Sequence, residues 1–344
     1  MDGITLVTGG AGFIGSHVVD ALLLEGGDVR VLDDFSTGKE ENLDDAWRLA
    51  ATQGRGLQVI EGDVRDEVRM RDAMDGCDAV VHLAAVASVP RSLDDPIGCD
   101  SVTQGGTVNA LREAVDAGAS RFVLASSCAV YGDAAQLPIA ETTPTRPLSP
   151  YAESKLASEE ACASAGDAGQ IAAVCLRFFN VYGPRQDPGS AYSGVISLFL
   201  AAAAGGRAVT LYGDGGQTRD FVYVGDVVDA IVRAVLRPLS GVSVLNLGTG
   251  RETSVLTLLD VVEAQAGVTL TRRSEPSREG DIRRSCADAG RARWVLGWQS
   301  RTSLDDGLAA TWAWYRDAGA AAPLGLGPAP PDTPAAPEPE GGGV

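Results

Sequence analysis

A repeated alternation of apolar runs and helical patterns dominates the first half of the chain. Helices are predicted near residues 13–26, 66–74, 95–117 and 151–166. The runs that read as buried strands are ITLVTG, DVRVLDD, LQVIEGD, DAVVHLAA, RFVLASS and IAAVCLRFFN. Continuous apolar strands that alternate with amphipathic helices are typical of a parallel sheet covered on both faces. The sequence therefore predicts an α/β fold with a doubly wound parallel sheet.

The alternation loosens beyond residue 180 into loops, short strands and helices. This change predicts a first domain over residues 1–178 and a smaller α/β substrate lobe over 179–316 that covers the carboxyl edge of the sheet. A buried strand near 243–250, VSVLNLGTG, is expected to rejoin the first domain. Residues 319–344 are mostly Ala, Pro, Gly and Glu, a composition that buries too little to fold, so a disordered tail is expected.

Charge and composition exclude several function classes. The formal net charge of -18 opposes binding to nucleic acid or to an anionic membrane through bulk electrostatics. The sequence contains no apolar run of about 18 residues that would indicate a membrane span, and no signal-peptide pattern at its start. Six cysteines without C-x-x-C spacing and two histidines predict no metal site. Buried, reduced thiols of this kind favour a cytoplasmic protein.

The turn TGGAGFIGSH follows the first predicted strand and opens the first helix. It places Gly9, Gly12 and Gly15 in G-x-x-G-x-x-G spacing. Small residues let the backbone turn sharply and approach a pyrophosphate, with the helix N-terminus facing the phosphates. The second strand ends about 20 residues later at Asp33, where a carboxylate can bind ribose hydroxyls and would repel a 2′-phosphate. These features predict a Rossmann-type site that prefers NAD to NADP, with Asp63 as an adenine contact.

The stretch PYAESK contains one of the two lysines in the chain. Of 28 basic residues only Lys39 and Lys155 are not arginine, which indicates that Lys155 is required for the compact shape of its ammonium. On a helix, Tyr151 and Lys155 share one face, and a nearby ammonium stabilises a phenolate. Beside a nicotinamide, such a phenol can take the proton of an alcohol as hydride leaves the carbon. A solvated lysine beside an ordinary tyrosine is the alternative, which the dinucleotide turn disfavours.

The chain resembles the extended short-chain dehydrogenase/reductases, and within them the nucleotide-sugar epimerase and dehydratase family, over roughly residues 4–316. The motifs that carry the resemblance are TGGAGFIG, HLAA, SSCAVYG, YAESK, RFFNVYGPRQDP, YGDGGQTRDFVYV, NLGTG and REGD. It implies that Ser127 joins Tyr151 and Lys155 as a catalytic residue by hydrogen-bonding the 4-oxygen of a sugar. It also implies an NAD site formed by Gly9, Gly12, Phe13, Ile14, Asp33, Asp63, Val64, Ala84, Tyr151 and Lys155.

The same resemblance implies a nucleotide-diphosphate site in the second lobe. Its residues are Asn180 and Arg219 at the diphosphate, Val195 and Tyr212 beside the base, Arg278 with Asp281 at phosphate and ribose, and Ser127 with Ser285 at the sugar. Each arginine alone could be a solvated surface charge, but charge-assisted bonds suit a diphosphate and would offset the acidic net charge. UDP is the usual carrier in the family.

The two residues that directly follow Ser127 distinguish the reactions of the family. The resemblance implies that 4,6-dehydratases carry Asp and Glu there, whereas this chain has Cys128 and Ala129. Ala cannot transfer a proton, and a thiol among apolar neighbours is a poor acid. The resemblance therefore favours a 4-epimerase, in which Tyr151 takes the C4 hydroxyl proton, hydride passes to NAD, the ketosugar rotates, and hydride returns to its other face. A dehydratase that uses Cys128 and a non-catalytic NAD sensor stay as alternatives.

The identity of the sugar depends on a residue that borders the sugar pocket in these epimerases. Tyr at that position accompanies plain hexoses and smaller residues accompany N-acetylhexosamines, so Ser285 predicts UDP-GlcNAc/GalNAc and/or UDP-Glc/Gal. Asp187 follows GPRQ where relatives that act on uronic acids carry Arg, which lowers the rank of a UDP-glucuronate epimerase or decarboxylase. Thr103 replaces the usual Asn and is expected to reshape the cofactor pocket. A homodimer through the helices near 95–117 and 151–166 is expected from the habit of the family.

Overall fold

The computed structural model describes residues 3–187, 194–277 and 282–321. Arg278 and Asp281, which were predicted to bind phosphate and ribose, lie outside these residues. So does the predicted tail from residue 322 onward. The last described helix continues to Ala321, three residues into the predicted tail, in a run of residues with high helix propensity.

Strands occur in both halves of the chain. In chain order they are β1 (Ile4–Thr8), β2 (Asp28–Asp33), β3 (Leu57–Glu61), β4 (Cys77–His82), β5 (Arg121–Ser127), β6 (Ala172–Phe178), β7 (Asn180–Tyr182), β8 (Val209–Tyr212), β9 (Thr218–Arg219), β10 (Phe221–Tyr223), β11 (Val242–Leu247), β12 (Thr253–Ser254) and β13 (Arg272–Glu275). The central sheet has seven strands in the spatial order β3-β2-β1-β4-β5-β6-β11, and every pairing in it is parallel. This confirms the predicted Rossmann-type α/β fold.

Helices cover both faces of this sheet. In chain order they are α1 (Phe13–Leu24), α2 (Asp44–Gln53), α3 (Glu67–Met74), α4 (Val89–Asp94), α5 (Pro96–Asp100), α6 (Gly106–Asp116), α7 (Pro150–Asp167), α8 (Val195–Gly205), α9 (Val224–Leu236), α10 (Val255–Ala266), α11 (Gly290–Leu296) and α12 (Leu304–Ala321). The single helix predicted near 95–117 is α5 and α6 joined by a π-helical segment, Ser101–Gly105. The sequence analysis did not predict α2 and α4.

Alternate side chains along each strand supply two separate cores. Val7 of β1 belongs to a cluster with α1, α2 and α9, whereas the neighbouring Leu6 belongs to a cluster with α3, α6 and α7. Successive side chains of a strand point to opposite faces, so an unbroken apolar run is needed when both faces are covered. This requirement explains why the strands were visible in the sequence.

The chain after residue 180 contributes both to the central sheet and to the helices that cover it. The helix α9 packs against α1 and against β4, β5 and β6, and β11 pairs with β6. A third apolar cluster joins α8, α10 and α12 to the short strands β8 and β10. The division of the chain at residues 178 and 179 stays a prediction.

Other sequence-based expectations concern membranes, metals and thiols. Across residues 3–187, 194–277 and 282–321, no helix combines the length and apolar character needed to cross a bilayer. The same described part of the chain contains no group of three His, Cys, Asp or Glu side chains placed to hold a metal ion. All six cysteines are described, and each is a free thiol.

Candidate active site

The carboxyl ends of the central strands bring most of the predicted site residues to one edge of the sheet. Gly9 follows β1, Asp33 ends β2, Ala84 follows β4 and Ser127 ends β5. The strand order reverses between β1 and β4, and ligands of open parallel sheets bind in the crevice at such a reversal. The two halves of the predicted site, the dinucleotide turn and the serine, therefore flank that crevice.

The turn after β1 requires glycine for steric reasons. Gly9 has φ of 68°, and a Cβ there would lie 2.9 Å from the Ala84 nitrogen. A Cβ on Gly15 would lie 2.0 Å from the Gly9 carbonyl oxygen, so α1 packs directly on the turn. Gly12 is the N-cap of α1 and provides no side-chain cap, and the first turn holds no acidic residue. Amide groups and a helix dipole directed at an uncapped N-terminus favour an anion such as a pyrophosphate.

Asp33 is buried and is tied to this turn. Its carboxylate accepts hydrogen bonds from the Ala11 nitrogen at 2.8 Å and from the Phe35 nitrogen at 2.9 Å. Burial raises the pKa of Asp33, and the two backbone hydrogen bonds oppose the increase. A carboxylate has further acceptor positions after these two bonds, so its predicted contact with ribose hydroxyls is chemically compatible with the structure.

The remaining predicted cofactor residues lie around the same turn. Asp63 pairs with Arg65, and hydrogen bonds from that guanidinium lower the pKa of Asp63. Val64 is buried, and its carbonyl accepts a hydrogen bond from the Asn109 side chain at 2.7 Å. The other members are Phe13 and Ile14, which form the first turn of α1. Their predicted contacts with NAD stay predictions.

Thr103, where the family resemblance led us to expect Asn, lies in the π-helical segment and is fully buried. Its hydroxyl accepts a hydrogen bond from the Val86 nitrogen at 3.2 Å, which ties α6 to the loop after β4. Isolated π-helical turns inside helices are frequent at functional sites. This segment contacts α7 as well, so Thr103 lies between the cofactor loop and the helix of Tyr151.

Tyr151 and Lys155 occupy the first turns of α7, with Ser149 as N-cap. Lys155 is buried, and its Nζ donates to the Ala125 carbonyl of β5 at 2.7 Å. Burial lowers the pKa of Lys155 to about 8. Ser127, at the end of the same strand, interacts with the Tyr151 phenol through its side chain. The structure therefore brings the three predicted catalytic side chains together between β5 and α7.

One expectation about Tyr151 is wrong. The sequence pattern predicts that the Lys155 ammonium lowers the pKa of the phenol. Burial instead raises the pKa of Tyr151 to about 12. The interaction that opposes the effect of burial comes from the Ser127 side chain. The reason is geometric, because the Lys155 ammonium is directed to the Ala125 carbonyl. A phenol of this kind is protonated at neutral pH, and its phenolate would be a strong base.

Cys128 and Ser285 lie next to Ser127, the predicted catalytic serine. The Ser285 hydroxyl interacts with the Cys128 thiol, and the charge of Arg219 acts on the same thiol. Burial raises the pKa of Cys128 to about 12. Arg219 also donates to the Ile282 carbonyl at 2.7 Å, which holds the segment that contains Ser285 against β9. The segment 282–287 thus closes over the end of β5.

The predicted nucleotide contacts are distributed over the second lobe. Asn180 begins β7, and its nitrogen donates to the Asp220 carbonyl at 3.0 Å. Val195 begins α8 and packs against the third apolar cluster. Tyr212 ends β8, where it pairs in register with Glu275 of β13. Their predicted roles at the diphosphate and the base stay predictions.

Comparisons with known proteins agree with this geometry. The sequence profile described as the NAD dependent epimerase/dehydratase family matches residues 5–248. The chain belongs to this family. A UDP-glucose 4-epimerase of Mycolicibacterium smegmatis is 40% identical over 314 residues, which span 91% of this chain and 98% of the relative.

Two solved structures extend the match to the whole fold of this family member. A UDP-N-acetylglucosamine 4-epimerase from Methanobrevibacter ruminantium in complex with UDP-N-acetylmuramic acid superposes with a TM-score of 0.86 at 31% identity, over 92% of this chain and 99% of that chain. A UDP-glucose-4-epimerase from Stenotrophomonas maltophila with bound NAD and formylated UDP-arabinopyranose superposes with a TM-score of 0.86 at 34% identity. This match covers 93% of this chain and 100% of that chain. The family predicted from the motifs is confirmed.

The GPRQD segment of this family member forms a loop that is bonded to α1 and α2. Arg185 has a positive φ of 65°, which is uncommon for a residue with a side chain. Its guanidinium bonds Asp20 of α1 and Asp45 of α2, each at 2.8 Å. His17 of α1 contacts the Pro184 carbonyl at 3.0 Å, and burial lowers the pKa of His17 to about 4, so the neutral ring donates this bond.

A buried polar network that no sequence motif predicts lies beside the predicted catalytic side chains. Glu159 of α7 and Arg177 of β6 form an ion pair with an Nη2–Oε2 distance of 2.6 Å, and both side chains are nearly inaccessible. The Ser126 hydroxyl donates to Glu159. Arg177 stacks over the Tyr131 ring, 4.7 Å from its centroid. The motifs YAESK and RFFN stand beside these residues, but the sequence does not show that the two charges meet.

Proposed function

We propose that this protein is an NAD-dependent 4-epimerase of a UDP-sugar. The observation that carries the proposal is the meeting of Ser127, Tyr151 and Lys155 at the sheet edge that also bears the uncapped glycine turn. The similarity to UDP-sugar 4-epimerases over more than nine-tenths of the chain supports the same reaction.

The residues around the glycine turn fit NAD. Backbone amides at the N-terminus of α1 would hold the pyrophosphate, and Asp33 would bind the adenosine ribose, where its charge disfavours a 2′-phosphate. Lys155 would bind the nicotinamide ribose. When bound, NAD accepts and returns the hydride of the sugar C4.

The side chains of this protein would then manage one proton at the sugar 4-oxygen. Ser127 would orient that oxygen through a hydrogen bond. In its phenolate form, Tyr151 would take the C4 hydroxyl proton during oxidation and return it to the 4-oxygen during reduction, so the residue is again a phenolate at the end of each turnover. Rotation of the ketosugar between the two half-reactions gives the epimer. Because the protein binds the same cofactor throughout, we expect NAD to be retained through purification.

The neighbours of Ser127 favour epimerisation over elimination. Elimination of water needs a proton donor and a base beyond the tyrosine, and the positions for them hold Cys128 and Ala129. With a pKa raised to about 12 by burial, the Cys128 thiol is a weak acid, and its thiolate is rare at neutral pH. We therefore expect no 4-keto-6-deoxy or unsaturated product.

Proton NMR tests the proposed reaction directly. Purified full-length protein is incubated separately with UDP-GlcNAc, UDP-Glc and UDP-GlcA, without added NAD. We expect a new anomeric signal of the galacto epimer with UDP-GlcNAc and/or UDP-Glc, rising to a constant ratio. Signals of a dehydrated sugar would replace the epimerase by a dehydratase. An unchanged spectrum in all three tubes, repeated with added NAD, would overturn the proposal.

The Ser285→Tyr variant tests the predicted sugar pocket. Ser285 is buried beside Cys128, so a phenol at this position has to occupy space on the sugar side of the segment 282–287. We expect kcat/KM for UDP-GlcNAc to fall by about 10-fold or more while that for UDP-Glc falls less, since one misplaced group in a pocket is worth about 10- to 200-fold. Ser285→Ala is the matched control. Equal losses for both sugars would contradict the assignment.

We also propose that the protein is a homodimer and that it lies in the cytoplasm. A homodimer through α6 and α7 is supported by exposed apolar side chains beside these helices, which are Leu93, Ile97 and Val108. Light scattering of the purified protein measures this, and a mass near 35.5 kDa would identify a monomer. The free thiol state of all six cysteines supports the cytoplasm.

A further inference from the structure

The buried ion pair between Glu159 and Arg177 joins α7 to β6 beside the predicted catalytic side chains. We infer that this pair positions the catalytic residues: Glu159 sets a fixed negative charge one helical turn from the Lys155 ammonium and holds the strand end that carries Ser127. The inference rests on the proposed function for its catalytic consequence.

The first support is the spacing along α7. Residues at i and i+4 of a helix are neighbours on one face, and Lys155 and Glu159 are both buried on that face. A buried ammonium loses most of its hydration, which favours the neutral amine. The carboxylate of Glu159 opposes that effect and raises the pKa of Lys155. Without this charge, Lys155 would lose its proton at a lower pH than it does in the intact protein.

The second support is the link to β5. The Ser126 hydroxyl donates to Glu159, and Ser126 directly precedes Ser127. The Lys155 ammonium donates to the Ala125 carbonyl on the other side of Ser126. Two bonds from α7 therefore fix consecutive residues of the strand end, and the position of the Ser127 hydroxyl relative to Tyr151 follows from them.

The third support is the way Arg177 orients the Glu159 carboxylate. Its guanidinium reaches the carboxylate with both Nε and Nη2, at 2.9 and 2.6 Å. Burial alone would lower the pKa of Arg177, but the hydrogen bonds and charge of Glu159 more than offset this. Arg177 is held in turn by the ring of Tyr131, whose hydroxyl donates to Asn246 at 2.7 Å. The planar guanidinium of an arginine bonds a carboxylate in a fixed direction through two N–H groups. A lysine ammonium, which acts as a point charge, would not fix the direction of the carboxylate.

The other groups around Lys155 do not replace Glu159. Besides Glu159, α7 presents the Cys162 thiol to the ammonium, and α5 presents the Cys99 thiol. From β4 the ammonium faces His82, whose Nδ1 shares a 2.8 Å hydrogen bond with Thr8 and whose pKa is lowered to about 3 by burial. The imidazole is therefore neutral, and the pKa of the Cys99 thiol is raised by burial. Among these groups Glu159 supplies the permanent negative charge.

The composition of the chain makes a direct test possible. Since Lys39 and Lys155 are the only lysines, protein grown with carbon-13 at the lysine ε-carbon gives two signals, and Lys39→Arg assigns them. We expect the Lys155 signal of the purified full-length protein to titrate near pH 8. In Glu159→Gln the midpoint should fall by about one pH unit or more, because the negative charge beside the ammonium is then gone.

Controls separate this effect from a general loss of structure. Glu113→Gln removes a carboxylate that is equally buried and paired with Arg71, but it lies between α3 and α6, so the Lys155 midpoint should not change. The Lys39 signal is an internal reference in each sample. If a single variant does not fold, the double variant Glu159→Gln/Arg177→Gln, which leaves no unpaired charge, should still show a lower midpoint than the parent. An unchanged midpoint in Glu159→Gln or in the double variant would overturn the inference.

Kinetics provide the second readout. With Lys155 required in its protonated form, activity falls as the pH rises through the Lys155 pKa, so the basic limb of the kcat–pH profile should move to lower pH in Glu159→Gln. The titration needs no turnover, so an inactive parent protein would overturn the proposed function and leave the NMR result valid. If the parent protein is active but the basic limb of its kcat–pH profile does not shift together with the Lys155 midpoint, the ion pair has no catalytic role.

Discussion

The Tyr151→Phe variant should fold, retain NAD and lose nearly all epimerisation. The substitution removes only the hydroxyl, which interacts with the Ser127 side chain and is the group that we propose exchanges a proton with the sugar 4-oxygen. Proton transfer by a positioned side chain contributes about 10²- to 10⁴-fold to rates, and we expect a loss in kcat of at least that order. The NMR assay gives the turnover, and absorbance after acid release gives the bound NAD.

A second Tyr→Phe change controls for this variant. Tyr182 is also buried, but its hydroxyl makes one long hydrogen bond, 3.4 Å to the Leu304 carbonyl, away from the sheet edge. We expect Tyr182→Phe to keep turnover within about twofold, since a typical hydrogen bond contributes about 1 kcal/mol to stability and this one is weak. Turnover by Tyr151→Phe comparable to that of Tyr182→Phe would remove Tyr151 from the mechanism.

The Gly15→Ala variant should lose both stability and cofactor. The added methyl would lie 2.0 Å from the Gly9 oxygen and 2.8 Å from the Gly10 Cα, and backbone atoms cannot rotate away as a side chain can. Either α1 or the turn has to move. Overpacking of this kind costs about 1–3 kcal/mol, and we expect the upper part of that range, or a fall in the unfolding midpoint of about 5 °C. Calorimetry and the NAD content of the purified protein measure the two effects.

Gly105→Ala is the matched substitution. Gly105 also lies in helical backbone, and a Cβ there would approach only the Asp100 oxygen, at 3.9 Å. Replacing glycine by alanine in a compatible conformation is neutral or stabilises by about 0.4–1 kcal/mol, so the midpoint should stay or rise. Equal midpoints and equal NAD content for the Gly15 and Gly105 variants would show that α1 can move away from the turn without cost.

The strands could be predicted from sequence because each must bury two faces. Runs such as ITLVTG and RFVLASS have no polar interruption, and the structure has β1 and β5 there. The helix α2 was missed because its sequence, DDAWRLAATQ, presents only Ala46 and Ala50 as buried residues and so has a weak apolar stripe. The break between α5 and α6 was missed because a π-helical turn keeps the composition of a helix.

The site could be predicted only as far as its residues lie in local motifs. The glycine turn and the pair Tyr151 and Lys155 depend on spacing within a single element, which a sequence displays. The pairing of Glu159 with Arg177 joins a helix to a strand, and each residue alone reads as an ordinary surface charge. The pKa of Tyr151 was predicted in the wrong direction because burial depends on the whole fold, and no local pattern reports it.

The late position of β11 in the chain has a consequence for synthesis on the ribosome. Until residues 242–247 have emerged, β6 is an open edge strand with unpaired backbone groups, and for most of that time α9, whose residues complete one core, is missing as well. At the usual rate of translation, the residues between β6 and β11 take on the order of 3 to 13 s to add. Exposed edges of this kind pair readily with other chains. We therefore expect the nascent protein to pass through an interval in which it is prone to aggregate, and truncation before β11 should yield insoluble material.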